Sequence, residues 1–152
     1  MSEIYVGLGS NLGDRGGNLR FALRQLDRGG SLRLRQVSTF RRTAPVGGPP
    51  QPDFVNAVAR FETSLAPLEV LRRLQDAEAR RGRRRRIQDG PRTLDLDLLL
   101  YPGVSMDGSR LTLPHPRLHQ RRFVLEPLAE IAPSLPLAGG RDPRQCLRAL
   151  PG

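Results

Sequence analysis

The sequence predicts an α+β fold in the order strand, helix, strand, strand, helix, strand, with further chain beyond it. Two observations carry that prediction. Apolar residues alternate in four separate stretches, and recur at helical spacing in the stretches between the first and second strands and between the third and fourth. Gly and Pro clusters fall between these stretches, where the chain must turn.

The first strand is "EIYVGLGSN", residues 3–11, an apolar run entering a Gly-rich turn. Leu19, Ala22, Leu23 and Leu26 then fall on one helical face, and Gly29-Gly30 stops the helix. "SLRLRQVSTF" alternates at Leu32 and Leu34 and shifts phase toward Val37, the pattern of a strand with an irregularity. "TAPVGGPPQPD", residues 43–53, is a loop, and "FVNAVARFET" after it is a strand. Phe54, Asn56 and Val58 share one face of that strand, and Val55, Ala57, Ala59 and Phe61 the other. Pro67 suits a first helical turn, with Leu68, Leu71, Leu74 and Gln75 along one side. "RTLDLDLLLY", residues 92–101, is the fourth strand, with Leu94, Leu96, Leu98 and Leu100 facing the core. This order is that of a ferredoxin-like βαββαβ core. A C-terminal extension follows: a short strand, a turn at Pro114–Pro116, a helix over 123–131 and a further short helix.

With 152 residues the chain fits one domain, 1–152. No apolar run approaches a membrane span, and the opening residues lack the layout of a secretory signal. Cys146 is the only cysteine, so no internal disulfide forms, and a cytoplasmic location is expected. Net charge is +10 and all 25 basic residues are Arg. A chain without Lys cannot carry a Walker-type phosphate loop. Its phosphate chemistry must use Arg and metal, and its basic balance expects an anionic partner.

"GLGSNLG" places glycines at 7, 9 and 13, one residue late for a dinucleotide fingerprint, and the strands that follow read as a hairpin rather than a parallel crossover. A tight turn that admits a ligand close to the backbone fits better. "RRGRRRR", residues 80–86, is either a solvated run, a nucleic-acid patch, or a cover for the open face of the fourth strand. His115 and His119 have the spacing of some zinc ligands, but prolines flank His115 and no Glu completes H-E-x-x-H. Asp95 and Asp97 lie on one strand face, about 6.5–7 Å apart at Cα, where like charges repel. A salt bridge to Arg92 or the Arg run, a general acid/base pair, or a pair of Mg²⁺ ligands would each explain them.

Taken together, "GSNLGD", "RTAP…PDFVNA", "GPRTLDLD" and "LPHPRLHQRRFVLEPLAEIAP", in that order over about residues 3–137, resemble the 6-hydroxymethyl-7,8-dihydropterin pyrophosphokinase family of folate biosynthesis. The resemblance implies pyrophosphate transfer from ATP to the pterin hydroxymethyl group, releasing AMP, with two Mg²⁺ ions. It implies that Asp95 and Asp97 hold the metals, and that Arg92, His115, Arg121, Arg83 and Arg85 contact the triphosphate. Gln75, Glu78, Arg110 and Thr112 would place the nucleotide, and Thr43, Ala44, Val46, Phe54, Asn56 and Phe123 the pterin. Asp89 stands where the family commonly has an aromatic residue, and Pro116 where it often has Tyr. The expected partners are small molecules, with no nucleic acid and no membrane, and the expected state is a monomer. Two rivals share parts of this pattern. An RNA-recognition module would need exposed aromatics on its central strands, and a two-metal phosphohydrolase would not need the Phe54, Asn56 and Phe123 group.

Overall fold

The computed structural model describes residues 1–82 and 91–151. In chain order the elements are β1 (Ser2–Ser10), α1 (Arg15–Asp27), β2 (Leu32–Val37), β3 (Arg41–Thr43), β4 (Phe54–Thr63), α2 (Pro67–Arg80) and β5 (Asp95–Leu100). Then come β6 (Met106–Asp107), β7 (Thr112–Leu113), α3 (Arg122–Ile131) and α4 (Pro143–Ala149). The main sheet runs β2-β4-β1-β5, with β3 also paired to β4, and every pairing is antiparallel. Leaving out the short β3, this is the ferredoxin-like order that the sequence predicts: each helix crossover skips over one strand.

Apolar residues on the two sheet faces build two cores. On one face Ile4, Val6, Leu8, Ala57, Ala59, Phe61, Leu94, Leu96 and Leu98 pack beneath α1 and α2, which contribute Leu19, Ala22, Leu23, Leu26, Val70, Leu74 and Ala77. On the other, Tyr5, Val58, Leu99 and Leu100 pack beneath α3 and α4 through Val124, Leu125, Leu128, Ile131 and Cys146. The C-terminal extension is thus the third layer of the fold, and it covers the sheet face carrying Asp95 and Asp97.

Four local expectations are corrected. β5 begins at Asp95, so Arg92 precedes the strand instead of opening it. Tyr5 pairs with Leu100 but Val6 with Leu98, leaving Leu99 as an extra residue. That bulge flips the side-chain phase: Leu100 joins the α3 core and Tyr101 the α1–α2 core. The buried stripe of α2 is Val70, Leu74, Ala77 and Glu78, while Leu68 is exposed, so the helix is rotated from the expected face. Gly7 and Gly9 lie within β1, not in a turn after it. The irregularity expected in the second strand is present as a register shift between Leu34 and Gln36.

Candidate active site

Cross-strand register decides which groups meet on the α3 face. Asp97 lies opposite Gly7, which lies opposite Val58; Asp95 lies opposite Gly9, which lies opposite Asn56, itself opposite Arg41. Directly opposed residues project to one side. The two glycines therefore leave a trough along β1, with carboxylates on one bank and the Asn56 amide on the other. A cavity of about 620 Å³ opens there. Its lining includes Thr43, Ala44, Val46, Phe54, Asn56, Arg92, Asp95, Asp97, Arg121 and Phe123, ten of the residues singled out by sequence. Phe54 comes from the sheet and Phe123 from the first turn of α3.

A second, smaller cavity of about 280 Å³ lies against β5 and is lined in part by Leu71, Leu98, Arg110, Thr112, His115 and Pro116. Asp97 lines both cavities. The expected pterin group and three of the other expected ligands thus occupy separate chambers that share one carboxylate.

The salt-bridge reading holds for one aspartate and not the other. Arg92 Nη1 donates to Asp95 Oδ2 at 2.7 Å. Among the described residues, Asp97 makes no hydrogen bond or ion pair. Burial pushes the Asp97 carboxyl up to about 6, with the charge of Asp95 adding to the rise and Arg121 opposing it. Two hard carboxylate oxygen donors on one strand, one of them without an ion pair among the described residues, suit Mg²⁺. That ion takes one or two carboxylates and fills its shell with water and phosphate oxygens. No cluster of three or more potential metal-ligating side chains occurs among the described residues, and a Mg²⁺ ion held by one or two carboxylates takes water and phosphate oxygens for the rest of its shell.

His115 is held below the usual imidazole pKa by burial and by the nearby Arg121 and Arg117. Its Nδ1 accepts from the Arg117 backbone N–H at 3.3 Å, so the neutral ring carries its proton on Nε2. Its backbone N–H donates to Leu99 O at 2.9 Å, tying it to β5. The Arg121 guanidinium lies 5.5 Å from the Phe123 ring centroid, a cation–π distance. Thr43 Oγ1 donates to Asn56 Oδ1, which orients that amide within the cavity.

Two expected nucleotide ligands are placed elsewhere. Glu78 is buried, and its Oε2 accepts from Leu96 N at 2.8 Å, between the two aspartates. It braces β5 from beneath. Gln75 is exposed, one helical turn beyond Leu71, and lines neither cavity. Arg83 and Arg85, like Asp89, lie outside the described residues. Of the Arg run's described part, Arg81 bonds Asn18 Oδ1 at 2.8 Å and lies 4.8 Å from the Phe21 centroid.

Sequence reasoning missed two asparagines. Asn11 donates to Gln51 Oε1 at 2.8 Å and Pro52 O at 3.0 Å, while its Oδ1 accepts from Arg92 N at 2.7 Å. Asn18 is buried and its Nδ2 reaches Ser10 Oγ, Leu12 O and Thr93 O at 2.9–3.0 Å. Both join loops distant in sequence, and only their position beside the glycine cluster hinted at them.

The sequence profile described as 7,8-dihydro-6-hydroxymethylpterin-pyrophosphokinase matches residues 5–133. The chain belongs to that pyrophosphokinase family. It is 44% identical to the 2-amino-4-hydroxy-6-hydroxymethyldihydropteridine pyrophosphokinase of Pseudomonas aeruginosa over 151 residues, 99% of this chain and 93% of that one. The enzyme of the same name from Haemophilus influenzae is 44% identical over 137 residues, 90% of this chain and 86% of its own length. The mitochondrial folate synthesis bifunctional protein of Arabidopsis thaliana is 44% identical over 129 residues, 85% of this chain but 23% of that longer protein. In this pyrophosphokinase the matched region ends just beyond α3, so it includes both walls of the larger cavity.

Proposed function

We propose that this single-domain chain (1–152) transfers pyrophosphate from ATP to the hydroxymethyl group of 6-hydroxymethyl-7,8-dihydropterin, a step of folate biosynthesis. One observation carries the reading: two chambers of different chemistry share Asp97. The larger, with Phe54, Phe123 and the Asn56 amide, suits a flat heterocycle with donors and acceptors at its edge. The smaller, with Leu71, Leu98, Leu111 and Thr112, suits a nucleoside, with Arg110 and His115 toward its phosphates. Arg92 and Arg121 supply further positive charge where the triphosphate would cross between them.

In this arrangement the pterin hydroxyl oxygen bonds to the β-phosphorus, the bond between that phosphorus and the oxygen leading to the α-phosphate breaks, and AMP leaves. The hydroxyl proton passes to solvent. The chain's contribution is positioning and charge neutralisation, which dominate phosphoryl-transfer catalysis. Asp95 and Asp97 would hold Mg²⁺, two ions in our reading, which supplies charge neutralisation to the phosphates. Arg83 and Arg85 would add to it from outside the described residues. The partners are then small molecules, and we read the protein as a cytoplasmic monomer. Among the described residues no helix is long and apolar enough to cross a membrane.

The RNA-module rival is disfavoured because α3 and α4 cover the sheet face such a module would offer to bases. Incubation with ATP, Mg²⁺ and the reduced pterin should yield AMP only when pterin is present. ADP as product, or turnover without pterin, would overturn the reading.

The trough makes a second expectation. A Cβ at position 9 would stand 2.9 Å from Asn56 Nδ2 and 3.6 Å from Phe54. Gly9→Ala should therefore displace the amide and raise the pterin KM about tenfold, since misplacement by a fraction of an ångström in a hydrogen-bonding site is felt strongly. The ATP KM should stay within about twofold. Steady-state kinetics with each substrate varied checks this.

A further inference from the structure

The two walls of the larger cavity are tied together at one corner by a side chain that does not line it. Arg41, on β3, is paired in register with Asn56. Its guanidinium reaches across to α3, with Nη2 2.9 Å from Glu130 Oε1 and Nη1 3.3 Å from Glu126 Oε2. Glu130 also accepts from the Thr39 backbone N–H and from Thr39 Oγ1, both at 2.9 Å. Glu126 in turn lies 3.7 Å from Arg122 Nη1. Arg41 thus joins the strand that carries Thr43 to the helix whose first turn carries Phe123.

We propose that Arg41 is a positioning residue that sets the separation between the Thr43–Asn56 wall and the Phe123 wall of the ring-binding slot. The inference rests on the pyrophosphokinase reading and deepens it. A planar guanidinium fork that grips two carboxylates one helical turn apart fixes both the distance and the rotation of a helix. Bulk attachment of α3 does not depend on it, because Val124, Leu125, Leu128 and Ile131 hold the helix to the sheet. Partly exposed ion pairs of this kind add little to overall stability. Their consequence is local: the registration of the cavity mouth, where β3 spans only three residues.

The test measures binding of the reduced pterin by its fluorescence, with and without a non-hydrolysable ATP analogue, together with the ATP KM. Wild type is compared with Arg41→Met, which keeps the stem and removes the fork, and with Thr39→Val, which removes one bond to Glu130. Arg41→Met should weaken pterin binding about tenfold and leave the ATP KM within about twofold. Thr39→Val should weaken it less. Because the pterin is uncharged and the clamp is partly exposed, salt at about 1 M should weaken pterin binding to wild type but not to Arg41→Met. Equal weakening of both substrates would show a merely structural role and overturn the proposal. So would unchanged pterin binding in Arg41→Met. Should that variant fail to fold, Thr39→Val and the wild-type salt dependence decide, and no effect in either overturns it. Wild-type protein that binds no pterin at all overturns the pyrophosphokinase reading and this inference with it; wild-type binding with an indifferent Arg41→Met overturns the inference alone.

Discussion

Asp97→Asn should lower turnover by at least about 10²–10³-fold, the range lost when a group that stabilises transition-state charge is removed, while the fold becomes more stable at neutral pH. The two halves of that expectation share one cause. Asp97 is partly buried between the two cavities, lies beside Asp95, and has no hydrogen bond or ion pair among the described residues; that burial, with the charge of Asp95, pushes its carboxyl up to about 6. A group that holds its proton more tightly when folded adds stability at low pH and loses it as pH rises from about 4, the unfolded value, toward about 6. Above that, the charged form should cost up to about 3 kcal/mol. Asn is nearly isosteric and never charged. Thermal melts of the two proteins should therefore converge near pH 4 and separate as pH approaches 7, with the variant melting higher. Mg²⁺ with ATP should reverse the order by raising the wild-type melting temperature and not the variant's. A variant that is less stable at every pH would mean that Asp97 serves the fold, and the metal reading would fall.

What made Asp97 legible in the sequence was period two along a strand, which needs no tertiary information. The same rule gave the two faces of β4, with Val58 in one core and Ala57, Ala59 and Phe61 in the other. It failed past Leu99, at Leu100 and Tyr101, because a bulge is set by the partner strand and leaves no mark on an all-leucine run. β3 was hidden for a related reason. Three residues, two of them Arg, have no periodicity to read, and their pairing to β4 across a Pro-rich loop is decided by that neighbour. On α2 the polar Glu78 belongs to the buried stripe because a backbone N–H of β5 satisfies it. Hydrophobic spacing alone assigns such a residue outward. The glycines show the opposite case. They were visible as a cluster and expected in a turn, yet Gly7 and Gly9 serve as absent side chains on a strand face, which only the register with Asp97 and Asn56 reveals. Ten of the residues that line the larger cavity were singled out in the sequence, most of them through family resemblance. The bonds that hold its walls, from Asn11, Asn18 and Arg41, are long-range pairs without a local signal.

Phe123→Ala should separate the two substrates more sharply than any other single change. The ring sits in the first turn of α3, half-buried, with Arg121 against it and the larger cavity beside it. A heterocycle bound between Phe54 and Phe123 would lose both the apolar area that ring covers, at about 25 cal/mol per Å², and ~0.5–1.5 kcal/mol of aromatic contact. Together these come to about 2–3 kcal/mol, or roughly 30- to 150-fold in pterin affinity. The helix should remain in place, because its anchoring side chains Val124, Leu125, Leu128 and Ile131 lie further along and are buried. ATP affinity should change by less than about twofold, since the smaller cavity contains no part of this ring. Phe123→Tyr keeps the face of the ring and should recover most of the pterin affinity. Titrating each variant with pterin and with Mg·ATP distinguishes the outcomes. If alanine weakened both ligands alike, Phe123 would be supporting α3 and not the ring. If it weakened neither, the flat substrate would have to bind outside the slot between sheet and helix, and the assignment of the two chambers would have to be reversed or abandoned.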